Sequence, residues 1–227
     1  MQKRGNFMRM RKKKNLEERL SLCDNLFYME TSERDYRMTN EEKTYIDTKE
    51  FFGNDNPVYL EIGCGKGGFA KQLAEENPDV NVLAVEKTAN VLITACEQGK
   101  DIKNLHFMLG GAEYLKKFIK DGSIDRIYLN FSCPFPKKAY AAHRLTNPRF
   151  LEIYKDILKE GAEIHQKTDN MHFFEYSVES FASCGFALKN VSLDLHNSGF
   201  EGNIMTEYEA QFTALGKPIY RLEAYIK

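Results

Sequence analysis

A run of glycines between an apolar segment and an amphipathic segment constrains the fold of this chain more than any other feature. Residues 58–67 are VYLEIGCGKG, so an apolar, β-prone run leads directly into a turn with glycine at 63, 65 and 67. Residues 69–77 continue with helical periodicity. A strand, a glycine turn and a helix in this order let the backbone approach a nucleotide-like ligand closely.

The carboxylate of Glu61, two residues before the turn, indicates which ligands suit it. A carboxylate there repels a pyrophosphate, but it attracts a cationic ligand and accepts hydrogen bonds from amino and hydroxyl groups. S-adenosylmethionine has a sulfonium, an amino group and no phosphate. Gly63, Gly65 and Gly68 also satisfy the dinucleotide pattern G-x-G-x-x-G, so the glycines alone leave a nicotinamide cofactor, or no ligand, open.

A second acid, Glu86, ends the next predicted strand 23 residues after Gly63. A carboxylate at that spacing can accept hydrogen bonds from both hydroxyls of a ribose. Together Glu61 and Glu86 predict an adenosine-type cofactor, without choosing between a nicotinamide and a methyl donor.

Strands and helices alternate from residue 58 onward. Strands are predicted at 58–62, 81–86, 104–109, 125–131 and 163–167, with helices between them. This alternation predicts an α/β fold, a mostly parallel sheet with helices on both faces. Two further strands, 186–195 and 219–226, predict a C-terminal antiparallel hairpin that completes a seven-stranded sheet. That ending favours a Rossmann-like methyltransferase over a dinucleotide enzyme.

Cysteine content and the distribution of charge indicate the cellular compartment and a possible class of partner. The 227 residues include five widely spaced cysteines without a C-x-x-C pair, which favours a reducing cytoplasm over a disulfide framework or zinc ribbon. The histidines show no metal-ligand spacing, and no segment approaches the roughly 18 apolar residues of a membrane span. Eight lysines and arginines lie in the first twenty residues against two glutamates. Such an arm is commonly a solvated tail, but it also suits an RNA backbone.

The chain is therefore divided into a basic N-terminal arm with a helical extension, 1–50, and a catalytic domain, 51–227. Residues 15–30 are predicted to be helical within the extension.

The end of the fourth predicted strand is the richest in chemistry. Residues 130–138 are NFSCPFPKK, in which two prolines fix the backbone, an aromatic ring can stack on a base and two lysines suit phosphates. His143, Arg144 and Arg149 extend this basic strip. The alternative is a stiff loop without a ligand.

Two other groups of residues have ordinary structural explanations. Asp169 precedes a predicted helix and fits an N-cap. Thr206 and Glu209 fit the S/T-x-x-E capping box of the helix at 207–215.

Taken together, these motifs resemble the bacterial tRNA (guanine-N7)-methyltransferases, a family of class I S-adenosylmethionine-dependent enzymes. The resemblance rests on LEIGCGKG (60–67), NPDVN (77–81), Glu86, RIYLNFSCPFPKK (126–138), RLT (144–146), KTDN (167–170), SLDLHN (192–197), GNIMTEYE (202–209) and PIYR (218–221). It extends from about residue 51 to the end of the chain, which makes 51–227 a methyltransferase domain.

The resemblance implies transfer of a methyl group from S-adenosylmethionine to N7 of a guanine in the variable loop of tRNA. The implied cofactor-binding residues are Glu61, Gly63, Gly65, Gly67, Glu86, Gly111 and Cys133. The implied substrate-binding residues are Lys137, Asp169, Thr206, Glu207, Tyr208 and Glu209, with Cys133 and Asp169 at the catalytic positions. The implied partner is tRNA, the implied location is the cytoplasm, and both a monomer and a homodimer are open.

Three positions, in two regions of the chain, depart from the family's pattern. The usual motif Ser-Asp-Pro-Trp-Pro-Lys has Cys133 and Phe135 in place of its aspartate and tryptophan, and Gly111 replaces an acid after the third strand. Guanine N7 carries a lone pair and no proton, so its methylation needs no general base. Orientation alone is worth about 7–11 kcal/mol in favourable cases, whereas an aspartate would add stabilisation of the developing cation. Methylation is therefore expected to be retained at a lower rate.

Three alternatives follow from the same residues. Cys133 is a possible nucleophile for pyrimidine-C5 methylation of RNA, which requires a covalent adduct. A tRNA-binding module that has lost methyl transfer is the second, although Glu61, Glu86 and the glycine turn argue against it. A nicotinamide dehydrogenase is the third, and it lacks an evident acid–base residue after the fourth strand.

Overall fold

The computed structural model describes residues 11–30 and 43–226. Within them one sheet is formed by β1 (Leu26–Tyr28), β2 (Val58–Ile62), β3 (Asn81–Glu86), β4 (Leu105–Leu109), β5 (Ile124–Asn130), β6 (Leu158–Thr168), β7 (Phe186–Ser192) and β8 (Tyr220–Ile226). The helices are α1 (Leu16–Ser21), α2 (Thr48–Phe52), α3 (Gly68–Glu76), α4 (Ala89–Gly99), α5 (Leu115–Phe118), α6 (Pro148–Ile157), α7 (Met171–Ser183) and α8 (Glu207–Ala214). Short 3-10 turns cover Ala112–Tyr114, Lys138–His143 and Leu195–Asn197.

The strand order is β1-β4-β3-β2-β5-β6-β8-β7. Only β8 runs antiparallel to its neighbours β6 and β7, and the other pairs in the described sheet are parallel. The predicted C-terminal hairpin is therefore confirmed, with β8 inserted between β6 and β7.

The described sheet has eight strands, so the prediction of seven is wrong by one. The prediction of a single helix over residues 15–30 is also wrong. Helix α1 ends at Ser21, and Leu26–Tyr28 instead form β1, which pairs in parallel with β4. Without β1, β4 would be an open edge with unpaired backbone groups. The aromatic residues of Leu26–Tyr28 suit a strand, and Phe27 packs edge-to-face against Phe51 and Phe118. Tertiary pairing thus overrides the helical periodicity of this segment.

Alternating residues of the strands face two separate cores. In β3, Val82 and Ala84 pack in one cluster with residues of α3 and α4, whereas Leu83 and Val85 pack in the other with residues of α5, α6 and α7. A parallel sheet covered on both faces needs apolar residues on both sides, which explains the continuous apolar runs of its strands. The predicted helices on both faces are confirmed.

Segment 11–30 is attached to the outside of α4. Leu16 and Leu20 of α1 pack on Ile93, and Arg19 donates two hydrogen bonds, of 2.7 and 2.6 Å, to the carboxylate of Glu97. None of the helices in the described ranges combines the length and apolar character needed to cross a bilayer.

Candidate active site

The centre of the sheet contains a crevice at its carboxyl edge. The chain leaves β2 toward β3 and β4 on one side, and it returns to β5 on the other, so the loops after β2 and β5 diverge. Ligands of open α/β sheets bind at such a switch point. A cavity of about 430 Å³ lies there. It is lined by Lys13, Glu61, Gly63, Cys64, Gly65, Lys66, Gly68, Phe69, Asn90, Val91, Thr94, Asn130, Phe131, Thr206, Glu207, Tyr208 and Gln211.

The glycine turn forms one wall of this cavity. Gly63, Gly65 and Gly67 have φ values of 82°, 59° and 78°, in the left-handed region that glycine adopts without strain. The backbone N–H groups of Gly63 and Cys64 both donate to the carbonyl of Val85, at 2.7 and 3.0 Å, which fixes the turn against the end of β3. Helix α3 begins immediately afterwards, so its unpaired N–H groups lie beside the cavity.

Gly67 also has a packing role, which a pair of substitutions can isolate. A Cβ atom at Gly67 would lie 2.7 Å from Cβ of Ala95 on α4, whereas a Cβ at Gly122, with a similar φ of 64°, meets nothing within 4 Å. We expect Gly67→Ala to lower the free energy of unfolding by about 3 kcal/mol, through backbone strain and overpacking, and Gly122→Ala by about 1–2 kcal/mol through strain alone. Urea unfolding measures both, and equal losses would contradict the packing role.

Glu61 is the most unusual group in the cavity. Its side chain is buried, with 3% of the residue exposed, and one oxygen accepts a hydrogen bond of 3.1 Å from Nδ2 of Asn130. The other oxygen, Oε2, is buried without a hydrogen-bond partner. Burial raises the pKa of Glu61 to about 7, although the bond from Asn130 and the charge of Lys167 oppose the rise. An oxygen in this state suits a cationic or amino donor, which S-adenosylmethionine carries.

Glu86 supports the glycine turn. One carboxylate oxygen accepts from the backbone N–H of Thr88 at 2.8 Å, and the other accepts from Gly65 at 3.3 Å. Thr88 is the N-cap of α4, but its own side chain makes no capping bond. Glu86 lies outside the cavity lining, and its oxygens can each accept a further hydrogen bond.

Gly111 follows β4 and also lies outside the cavity lining. Its backbone is extended, and the position that a Cβ would take is 2.5 Å from a carboxylate oxygen of Glu113. The carboxylate of Glu113 therefore occupies the space beside Gly111 where a side chain would start.

The loop after β5 places Cys133 and Lys137 on the exposed surface, outside the cavity lining. The side chain of Arg144 binds the backbone of this loop. It donates to the carbonyl oxygens of Pro134 and Phe135 at 2.9 and 3.1 Å, and its guanidinium lies 4.3 Å from the ring centroid of Tyr176. Arg144 thus holds the loop in place, in addition to belonging to the basic strip predicted from sequence.

Helix α8 forms the opposite wall of the cavity. Its predicted capping box is confirmed, because Thr206 accepts from the backbone of Glu209 and Glu209 accepts from the backbone of Thr206. Glu207 and Tyr208 line the cavity from the first turn, and a carboxylate oxygen of Glu207 is 3.9 Å from the Cβ position of Gly68. Acidic groups therefore face the glycine turn from both β2 and α8.

Glu209 is fully buried behind this wall. It accepts hydrogen bonds from Lys167 and Asn203, both at 2.6 Å, and lies 3.2 Å from Nε2 of His196. Lys167 also donates to the carbonyl of Ile204 at 2.8 Å. This network joins the end of β6 to the segment that carries Glu207 and Tyr208.

Asp169 is half-buried at the end of β6 and lies outside the cavity lining. The N-cap of α7 is Asn170, whose side chain accepts from Phe173, so Asp169 is not used for capping. Its closest described cation is Lys217, with a nitrogen–oxygen distance of 4.0 Å.

The structure brings six predicted site residues together in the cavity lining and adds others. Those six are Glu61, Gly63, Gly65, Thr206, Glu207 and Tyr208. Asn130 was recognisable from sequence as a polar residue at the end of a central strand. Lys13 was not, because its place depends on long-range contacts. Its backbone N–H donates to Asn90 of α4 at 2.6 Å, and Asn90 in turn donates to the carbonyl of Arg11 at 3.0 Å.

Comparisons with known proteins agree with this geometry. A family model described as "Putative methyltransferase" matches residues 55–222. A tRNA (guanine-N(7)-)-methyltransferase of Listeria monocytogenes serotype 4b (strain F2365) is 51% identical over 178 residues, which cover 78% of this chain and 83% of that protein. The Bacillus subtilis (strain 168) protein of the same name is 48% identical over 174 residues, covering 76% and 82%. The chain belongs to the tRNA (guanine-N7)-methyltransferase family.

Solved structures of other methyltransferases share the fold of this family member. The 16S rRNA methyltransferase KamB has a TM-score of 0.59 at 14% identity, covering 83% of this chain and 97% of KamB. A 16S rRNA adenine methyltransferase from Catenulisporales acidiphilia, solved with its cosubstrate SAM, has a TM-score of 0.57 at 13% identity, covering 80% and 91%. The predicted class I methyltransferase fold is confirmed.

A second cavity of about 400 Å³ lies beside the first, on the face of β5, β6 and β8. Glu163, His165 and Glu223 come together there, but Lys189 already pairs with Glu163 and Arg221 with Glu223. Burial lowers the pKa of His165 to about 4, so its ring is neutral at physiological pH. The two ion pairs therefore neutralise the carboxylates of Glu163 and Glu223 with side chains of the protein itself.

Proposed function

We propose that the protein transfers a methyl group from S-adenosylmethionine to N7 of a guanine in the variable loop of tRNA. The observation that carries this proposal is the unpartnered, buried oxygen of Glu61 beside a left-handed glycine turn. Both features lie at the switch point of the sheet, and this chain belongs to the tRNA (guanine-N7)-methyltransferase family. The site fits a ligand with an amino group and a positive charge, and it fits no pyrophosphate near Glu61.

When bound, S-adenosylmethionine would supply an electrophilic methyl group to the lone pair of N7; the carbon–sulfur bonding pair would stay on sulfur, and the positive charge would pass to the purine. In the proposed site, Glu61 accepts from the amino end of the cofactor, with Asn130 fixing the carboxylate orientation. The glycine turn excludes side chains from the space that the cofactor takes. Glu86 is assigned to the ribose, and Gly111 with the neighbouring Glu113 to the adenine end.

The substrate side of the proposed site consists of residues around the cavity mouth. Lys137, Asp169, Thr206, Glu207, Tyr208 and Glu209 are assigned to the guanine and its surroundings. Of these, Thr206, Glu207 and Tyr208 line the cavity, while Glu209 holds their segment through its bond with Lys167. The exposed residues Lys137 and Lys138, together with the basic N-terminal arm, are assigned to the tRNA backbone. No step requires a proton to be removed from N7.

The test is mass spectrometry of nucleosides from tRNA that lacks the modification, after incubation with purified protein and S-adenosylmethionine. We expect a new 7-methylguanosine signal that maps to the variable loop. No signal beside an active control enzyme would reject the proposal, and retained tRNA binding would then favour the binding module. A methylated pyrimidine in place of 7-methylguanosine would favour the Cys133 nucleophile.

Cys133 provides a prediction about rate. Because an aspartate in this loop would stabilise the cation that forms on the purine, we expect Cys133→Asp to raise kcat by about 10-fold. Cys133→Ser should leave kcat close to wild type, since neither side chain brings a full negative charge. Steady-state methylation at saturating tRNA and S-adenosylmethionine measures kcat for both variants, and single-turnover methylation measures the methyl-transfer step alone. A Cys133→Ser variant without activity would instead make the thiol a nucleophile.

The setting of the reaction is part of the proposal. We assign the protein to the cytoplasm, where tRNA is modified and where its five free cysteines stay reduced. The division into an arm and helical extension over 1–50 and a methyltransferase domain over 51–227 is proposed with it. A monomer is the simplest state that contains every assigned residue, and a homodimer is compatible with the same site.

A further inference from the structure

Three aromatic side chains beside the cavity lie close together with nearly parallel ring planes. Phe131 follows β5, and Tyr208 and Phe212 lie on α8. Their ring centroids are 6.2–6.4 Å apart, and their planes lie within 20–24° of one another. Phe131 and Tyr208 also line the cavity at the switch point. We refer to Phe131, Tyr208 and Phe212 as the ring face.

The ring face is not ordinary core packing. Tyr208 is 62% exposed, whereas Phe131 and Phe212 are half-buried. The backbone of Phe131 has a φ of 49°, in the left-handed region that is unfavourable for a side chain of this size. Residues held in such conformations cluster at ligand sites, where the surrounding structure maintains the strain. A phenylalanine that only filled space would need neither this conformation nor a position at the cavity.

The ring face already holds one cation. The ammonium of Lys217 lies 4.8 Å from the ring centroid of Phe212, so one cation is already placed against this group. Asp169 lies 4.0 Å from the ammonium of Lys217, and Glu207 lines the same cavity as Phe131 and Tyr208, together with Lys13 and Lys66. Aromatic faces are electron-rich, and a cation within about 6 Å of a centroid is attracted to them.

We propose that the ring face is a binding site for a cationic purine, and that it holds the guanine of the substrate more strongly once N7 is methylated. The inference rests on the proposed function. Guanine is neutral before transfer, whereas the N7-methylated ring is cationic while N1 keeps its proton, so an aromatic face discriminates between the two. The same attraction acts on the charge that develops during transfer, and it contributes stabilisation where Cys133 supplies no carboxylate.

Binding of two free nucleotides tests the inference without turnover. GMP and 7-methyl-GMP are titrated into the full-length protein, with and without S-adenosylhomocysteine, in mildly acidic buffer that keeps the methylated base cationic. Nuclear magnetic resonance line broadening of the nucleotide reports the affinity. We expect wild type to bind 7-methyl-GMP roughly 3- to 30-fold more tightly than GMP. Tyr208→Phe should keep this ratio, and Tyr208→Leu and Phe212→Leu should lower it toward one.

The matched control is Tyr45→Leu, which removes an exposed tyrosine outside the ring face and should leave the ratio unchanged. Circular dichroism establishes that each variant is folded. Equal affinities of wild type for the two nucleotides, or an unchanged ratio in both leucine variants, would overturn the inference. The nucleoside assay of tRNA is independent of this titration. Formation of 7-methylguanosine by a protein without nucleotide preference rejects only the ring-face site, and a preference without methylation rejects only the proposed function.

Discussion

Replacing Glu61 by glutamine is expected to weaken binding of S-adenosylmethionine by about 10- to 100-fold. The substitution keeps the shape of the side chain and its contact with Asn130, but it removes the negative charge from a buried site. A hydrogen bond to a charged group contributes about 1.5–3 kcal/mol, and 1.4 kcal/mol corresponds to a factor of ten in affinity. Isothermal titration calorimetry above pH 7, where wild-type Glu61 is ionised, measures the loss directly.

The raised pKa of Glu61 also predicts how stability depends on pH. Burial raises the pKa to about 7, above its ordinary value of 4.5, so the folded protein holds this proton more tightly than the unfolded chain does. The corresponding stabilisation is fully present below pH 4.5 and is lost as the pH rises to about 7. A shift of this size corresponds to about 3 kcal/mol in the free energy of unfolding of the cofactor-free protein. Glu61→Gln should not show that slope.

Cofactor affinity is expected to change with pH in the opposite direction. A cationic ligand prefers the ionised carboxylate, so wild-type affinity should rise as the pH passes through 7, with release of a proton on binding. Calorimetry in buffers of different ionisation enthalpy detects that proton. The control is Glu160→Gln, which removes an exposed carboxylate of β6 and should behave as wild type. A Glu61→Gln variant with wild-type affinity at pH 8 would rule out this assignment of the cofactor.

Local sequence patterns predicted the central strands beside the cavity well. Strands β2 and β3 have the predicted limits, because each is an apolar run that ends at a glycine turn or an acid. The limits of β1 could not be predicted, since Leu26–Tyr28 become a strand only when the edge of β4 is available for pairing. Periodicity describes one segment at a time, and it carries no information about such a partner.

The site shows the same division between local and long-range information. Glu61 and Gly63 could be assigned from spacing, because the strand and turn that position them are adjacent in sequence. Lys13 could not, since it reaches the cavity through its contacts with Asn90 and Thr94 on α4, which are distant in sequence. The role of Phe131 also depends on α8, which is distant in sequence and brings Tyr208 beside it.

The second large effect is expected from Lys167, which forms a buried ion pair with Glu209. Lys167 is 6% exposed and Glu209 is fully buried, and the two are 2.6 Å apart. Lys167→Met leaves the carboxylate of Glu209 buried without its counter-charge, so we expect the free energy of unfolding to fall by about 3–5 kcal/mol. The exposed pair Lys49–Asp55 has the same separation of 2.6 Å, and Lys49→Met should cost less than about 1 kcal/mol.

Removing both partners separates the cost of an unpaired charge from the value of the pair itself. We expect Lys167→Met combined with Glu209→Leu to be more stable than Lys167→Met alone, because no buried charge is left uncompensated. Activity should not recover with stability, since the double variant loses the bonds that hold the segment carrying Glu207 and Tyr208 to the end of β6. Urea unfolding and methylation of tRNA by the same preparations measure the two quantities. A double variant that regained full activity would show that the pair stabilises the fold without positioning the substrate wall.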